Sequence, residues 1–192
     1  MSDDAQFAKL VSLGCHDVRT PLATVHGFVK TLERQLELRP PFDRYLEMIG
    51  TASAEMAELL DELSLAARIE GGRYEPTRRT VDTLELARHA QDRLGEGVHV
   101  SGEGTTIETD VDALDRGLSA LVQCALRHGG LDEVSVVARG AELDVFPLTP
   151  AAAPVALGED LRDLGAAVAV RLIRTLGGDV RVEGETLPIR LV

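Results

Sequence analysis

The sequence predicts an α+β chain in two parts. An antiparallel helical hairpin over residues 1–72 pairs with a second copy to form a dimeric four-helix bundle, and an α/β sandwich follows over residues 73–192. Three observations carry this. Apolar residues recur in mostly alternating steps of three and four from Phe7 to Leu36, and a second such stripe runs from Leu46 to Ala67. Gly71-Gly72 then supplies a helix stop, and beyond it the texture changes to short segments that alternate strand and helix patterns.

In the first helix the stripe is Phe7, Val11, Gly14, Val18, Leu22, Val25, Val29, Leu32 and Leu36. This is a coiled-coil seam with one extra four-step around His16, the mark of a local stutter. His16 falls off the seam and is expected to be exposed. The helix should end near Leu38, because Arg39-Pro40-Pro41 cannot continue it. The second seam passes through Leu46, Ile49, Ser53, Met56, Leu60, Leu63 and Ala67. An apolar face this long is more than one hairpin can cover, so a homodimer is expected.

After Gly72, Val81 to Leu94 reads as a helix and Val98 to Asp110 as a hairpin turning at Gly102-Glu103-Gly104. Val111 to Arg127 reads as a helix, and Val134 to Phe146 as two strands around Arg139-Gly140. Leu161 to Leu176 reads as a helix and Val180 to Val192 as closing strands, with the Pro/Ala-rich stretch from Pro147 to Ala156 as a loop. Strands gathered on one sheet with helices on one face make the sandwich.

Composition narrows the function. With 32 acidic against 20 basic residues the formal net charge is −12, which argues against nucleic acid, whose partners present a basic face. No stretch approaches the roughly 20 apolar residues of a membrane span, and the acidic start Met1-Ser2-Asp3-Asp4 is no signal peptide, so a cytoplasmic protein is expected. Cys15 and Cys124 are an isolated pair with no metal-type spacing, which sets aside a disulfide framework. His26, His89, His99 and His128 share no spacing and read as ordinary surface or partly buried residues, and Glu55, Glu58, Asp61 and Glu62 as the solvated face of the second helix.

The chemistry concentrates in Cys15-His16-Asp17-Val18-Arg19-Thr20-Pro21-Leu22. Neutral imidazole is a good nucleophile near pH 7, and its two nitrogens can divide the work, one attacking phosphorus while the other is held by a hydrogen bond. Asp17 is the candidate for that hold. Thr20 lies one helical turn from His16, where its hydroxyl can position a water or touch an incoming phosphoryl group. Pro21 has no N–H, so the carbonyl of Asp17 loses its helical partner and a bend is expected there.

This run, continuing to Val25, Gly27 and Leu32, resembles the H-box of bacterial sensor histidine kinases, whose usual form is Ser-His-Glu/Asp-Leu-Arg-Thr-Pro-Leu. The resemblance implies that His16 is phosphorylated, that Asp17 is its acid/base and orienting partner, and that Thr20 positions water when such proteins dephosphorylate a response regulator. Cys15 stands in place of the usual serine. The order of elements after Gly72 resembles the family's ATP-binding domain, but its nucleotide motifs are degenerate. Where the family carries Asn-Leu-Leu-x-Asn-Ala-x-Lys this chain has Ala120-Leu121-Val122-Gln123-Cys124-Ala125-Leu126-Arg127, with Cys124 at the magnesium-binding asparagine. Magnesium takes oxygen ligands, and a thiol is a poor replacement. The Asp-x-Gly-x-Gly element, whose aspartate bonds adenine, is replaced by Val145-Phe146-Pro147-Leu148-Thr149-Pro150-Ala151, and the later Gly-x-Gly loop is reduced to Asp163-Leu164-Gly165. Val168 to Gly178 still matches the family's helix and its Gly-Gly ending.

The reading that follows is a histidine phosphotransferase in a two-component phosphorelay. It carries a phosphoryl group on His16 between receiver-domain aspartates, with catalytic residues His16, Asp17 and Thr20. No cofactor or metal is expected on this chain, and Mg2+ is expected on the partner receiver domain of a response regulator. The organisation resembles stand-alone bacterial phosphotransferases that pair a helical hairpin dimer with an ATP-domain remnant. Two alternatives keep parts of this: a response-regulator phosphatase in which Asp17 and Thr20 align water, and a non-catalytic pseudokinase binding module.

Overall fold

Seven residues are almost two turns of α-helix, so side chains at that interval keep to one line along its surface. Ala8, Cys15, Leu22 and Val29 form such a line, and all four are buried. The computed structural model describes residues 3–35 and 42–192, and the chain divides into the units Met1–Tyr74 and Glu75–Val192. In the first unit α1 (Asp3–Gln35) runs unbroken through Pro21 and packs against α2 (Phe42–Glu70). The expected helix end near Leu38 and the Arg39-Pro40-Pro41 turn lie outside the described residues, as do Leu36 and the side chain of Phe7.

The facing line of α2 contains small side chains, with Gly50, Ser53 and Ala67 buried beside Leu65. A Cβ on Gly50 would stand 3.3 Å from the Val29 Cγ1, so the two helices lie close together there. Polar groups tie the same surfaces. Arg19 Nη2 donates to Asp61 Oδ1 at 2.7 Å, and His26 Nδ1 lies 3.0 Å from Ser53 Oγ, which in turn donates to the Gly50 carbonyl. These pairs run in opposite directions along the two helices, which makes the hairpin antiparallel. Gly71 and Gly72 end α2, their N–H groups returning to the carbonyls of Ala67 and Ile69.

The expected seam needs one correction. Leu22, Val29, Ser53 and Ala67 are buried within the hairpin, but Val18, Val25 and Leu32 on α1, and Ile49, Met56 and Leu63 on α2, are exposed. Residues three apart differ by roughly 60° around a helix. The interior of the hairpin therefore takes only one edge of a wide apolar arc and leaves the other edge outside. Leu13 and Phe28 extend the outer edge on α1, and Tyr45, Met48 and Leu59 on α2.

The second unit begins with β1 (Arg78–Asp82), a strand that the sequence reading placed partly inside a helix. Asp82 accepts a hydrogen bond from the Leu84 N–H at 2.7 Å, and this cap starts α3 (Thr83–Leu94) two residues later than expected. The expected hairpin over Val98 to Asp110 is not formed. β2 (Val98–Gly104) pairs in parallel with β4 (Val134–Gly140), while β3 (Thr106–Asp110) pairs antiparallel with β1 in a separate two-stranded sheet. Gly102 and Gly104 are thus strand residues and not a turn. Gly102 has φ +100°, and a Cβ there would overlap the Ala138 backbone. A Cβ on Gly104 would overlap the carboxylate of Asp82 that caps α3.

Asp110 caps α4 (Val111–Gly129), and Gly130 closes it in the left-handed conformation. β5 (Glu142–Phe146), the short α5 (Ala153–Ala156), α6 (Leu164–Thr175), β6 (Asp179–Val180) and β7 (Leu187–Arg190) complete the unit. The main sheet has the order β2-β4-β5-β7-β6. α5 falls where a loop was expected, and α6 begins three residues beyond the expected Leu161, at the Asp163 cap. The core lies between this sheet and the helices α3, α4 and α6, with Leu86, Leu114, Leu121, Leu143, Ile173, Leu187 and Ile189 among its enclosed aliphatic side chains. Helical hairpin followed by an α/β sheet domain is the architecture that the sequence predicted.

Candidate phosphoacceptor site

Cys15 takes the inward position on α1, and this sets the orientation of everything beside it. One residue further round, His16 points outward, with its side chain 75% exposed and that of Asp17 68% exposed. His16 Nδ1 lies 3.2 Å from Asp17 Oδ1. An ionised carboxylate only accepts hydrogen bonds, so this contact requires the proton on Nδ1. The lone pair of the neutral ring is then on Nε2, which is the nitrogen available to an electrophile. Because the pair is largely exposed, it contributes little to stability, and its consequence is orientation.

Thr20 is exposed one turn along from His16. His16, Asp17 and Thr20 therefore occupy one open stretch of α1. Arg19 is turned to α2 by its ion pair with Asp61, which the sequence reading had placed on a merely solvated face. Spacing within one helix could not reveal that pair, because the partners are 42 positions apart.

In the second unit Cys124 is completely buried on α4. Burial, with the nearby Asp163 carboxylate and against a smaller opposite effect of Arg127, pushes its thiol up to about 12. Such a thiol is neutral at physiological pH and offers no oxygen. Cys124 thus does not fit a magnesium–nucleotide complex, whose hard cation needs oxygen donors. Asp163, expected at the phosphate-binding turn, instead caps α6 by accepting from the Ala166 N–H through Oδ1 at 3.0 Å. The helix N-terminus that would attract a phosphate already holds a carboxylate of its own chain. His128, read from sequence as an ordinary histidine, places Nε2 3.1 Å from Asp163 Oδ2. Its position four residues after Cys124 was the signal available in the sequence.

Among the described residues, no helix is long and apolar enough to cross a membrane.

Residues 9–72 match the model of the His Kinase A (phospho-acceptor) domain. The histidine protein kinase DivJ of Caulobacter vibrioides is 28% identical over 201 residues, covering 96% of this chain and 32% of DivJ. The chain thus spans about a third of the length of that relative. Full-length ShkA, solved in complex with AMPPNP, superposes with a TM-score of 0.70 at 19% identity, over 94% of this chain and 44% of that one. The Acinetobacter baumannii histidine kinase AdeS gives 0.56 at 16% identity, over 92% of this chain and 98% of that one. At these identities the two structures establish the fold. Residues 9–72 thus resemble a His Kinase A (phospho-acceptor) domain, and the hairpin followed by a sheet domain is the fold shared with ShkA and AdeS.

Proposed function

We propose that this chain is a histidine phosphotransferase that accepts a phosphoryl group on His16 from the aspartate of one receiver domain and passes it to another. The observation that carries the proposal is the exposed imidazole with Nδ1 held by Asp17 and Nε2 open. Transfer is in line: Nε2 attacks phosphorus, the bond from phosphorus to the aspartyl oxygen breaks, and the aspartate leaves as carboxylate. Asp17 stabilises the positive charge that develops on the ring. The acidic pocket and its Mg2+, which neutralises the phosphoryl oxygens, belong to the receiver domain. In support of a route without ATP, Cys124 supplies no ligand for magnesium and Asp163 occupies the α6 N-terminus. The test is incubation of the full chain with a phosphorylated receiver domain, and separately with ATP and magnesium. Acid-labile phosphate on His16 is expected in the first mixture and none in the second. Label arising from ATP would make the chain a kinase.

The site functions in a homodimer. The outer edge of the hairpin exposes a row of large apolar side chains, including Val18 at 52%, Phe28 at 67% and Met48 at 59%, and two hairpins packed through these edges bury it as a four-helix bundle. Phe28→Glu should convert the dimer to a monomer in light scattering, whereas unchanged mass would place the contact elsewhere.

A second reading, dephosphorylation of a receiver, is favoured by the exposed hydroxyl of Thr20 one turn from His16. Thr20→Ala separates the two. It should leave the phosphoryl level on His16 within about twofold of the parent while any accelerated loss of receiver phosphate falls by roughly 100-fold, the lower end of what a positioned proton-transfer group contributes.

A further inference from the structure

Cys124, His128 and Asp163 place a sulfur, an imidazole nitrogen and a carboxylate oxygen all within 4.8 Å of one another. Cys124 and His128 lie four apart on the same face of α4, and Asp163 comes from the start of α6. His128 Nε2 and Asp163 Oδ2 are 3.1 Å apart, and the Arg127 Nη1 stands 3.7 Å from the same oxygen. Asp163 is already fixed by its other oxygen, which holds the Ala166 N–H, so Oδ2 is aimed rather than free to wander. Capping α6 requires only Oδ1. It does not account for a histidine at Oδ2 with a completely enclosed thiol near both.

We propose that these three side chains bind a zinc ion, with the fourth position left to water. In a tetrahedral zinc shell the metal lies about 2.0–2.3 Å from its donors, so neighbouring donors stand about 3.3–3.7 Å apart. The cluster, with donors at most 4.8 Å apart on two packed helices, lies about 1 Å from that spacing. The donor set is the mixed sulfur, nitrogen and oxygen set that suits zinc and disfavours magnesium or calcium. Charge also balances: a thiolate and a carboxylate neutralise the dication, and the thiol proton passes to buffer as the ion enters. The ion would fasten α4 to α6, and it is independent of the chemistry at His16.

The test uses the full chain, stripped with a chelator and titrated with Co2+ and then Zn2+. One equivalent of Co2+ should produce a thiolate-to-cobalt charge-transfer band in the near ultraviolet and the intense visible bands of tetrahedral cobalt, and Zn2+ should displace both. Cys124→Ala should abolish the charge-transfer band, Cys15→Ala should retain it, and His128→Gln should weaken binding at least tenfold. Zn2+ should also raise the melting temperature of the parent protein and fail to do so in His128→Gln, a variant at a partly exposed position that keeps the fold should Cys124→Ala lose it. The absence of a charge-transfer band in the parent protein, its loss in Cys15→Ala, or identical affinity in His128→Gln would each overturn the assignment.

Discussion

Replacing His16 with glutamine is expected to leave a folded hairpin that acquires no phosphoryl group. Glutamine is polar and about as large, and it can still reach the Asp17 carboxylate through its amide. It has no nitrogen lone pair able to attack phosphorus, because that of the amide is delocalised into its carbonyl. Acid-labile phosphate after incubation with a phosphorylated receiver should therefore fall below detection, with transfer onward to a second receiver lost alongside it. The side chain is 75% exposed and belongs to no packed line of α1. Its replacement should change unfolding free energy by no more than about 0.5 kcal/mol, the usual range for surface substitutions. Loss of transfer together with unchanged denaturant midpoint would isolate the chemistry from the fold. Label that persists elsewhere on the chain in His16→Gln would place the acceptor at another residue.

The largest expected effect on stability is at Gly102. Its φ of +100° lies where side chains are strained, and a Cβ would overlap the carbonyl and amide of Ala138 on the neighbouring strand. Strain of this kind costs about 1–3 kcal/mol. Forcing atoms into a packed region adds about 1–3 kcal/mol more. Gly102→Ala should thus lose on the order of 2–6 kcal/mol in chemical denaturation, a large share of the roughly 5–15 kcal/mol that holds a domain of this kind. Gly140→Ala is the internal comparison. Gly140 also has positive φ, +65°, but nothing lies within 4 Å of where its Cβ would be. It should lose only the conformational part, about 1–2 kcal/mol. Equal losses at the two glycines would show that contact with Ala138 contributes nothing.

The same glycine explains why part of the fold was legible in the sequence and part was not. Two strand-like runs flanking Gly102-Glu103-Gly104 look like a hairpin, since neighbouring strands usually pair. Here Val98 pairs instead with Val134, and Ile107 with Val81, so the decisive contacts are distant in sequence. β1 escaped notice because Arg78-Arg79-Thr80-Val81-Asp82 has only Val81 buried. α4 and α6 were readable because sustained helical periodicity and capping residues are local signals. On α1 a single seam was readable, but not that it splits into a buried line with Ala8 and Cys15 and an exposed edge with Val18, Val25 and Leu32.

The candidate sites divide in the same way. His16, Asp17 and Thr20 are contiguous on one helix, so their arrangement follows from spacing alone. Cys124 and His128 were within reach of the same logic. Their convergence with Asp163 was not, because that carboxylate is 35 positions beyond His128 and is brought in by the packing of α6 on α4.

The parallel pairing of β2 with β4 also has a kinetic consequence. β2 is an edge strand, and among the described strands of its sheet β4 alone adjoins it. During synthesis residues 98–104 emerge well before 134–140, with β3 and all of α4 between them. Closing that intervening loop costs entropy before any ladder bond compensates, which makes the joining of β2 a late, slow event in assembly of the sheet. Until then its edge is open to stray strands, and His99, Glu103 and the two glycines give it little to offer them.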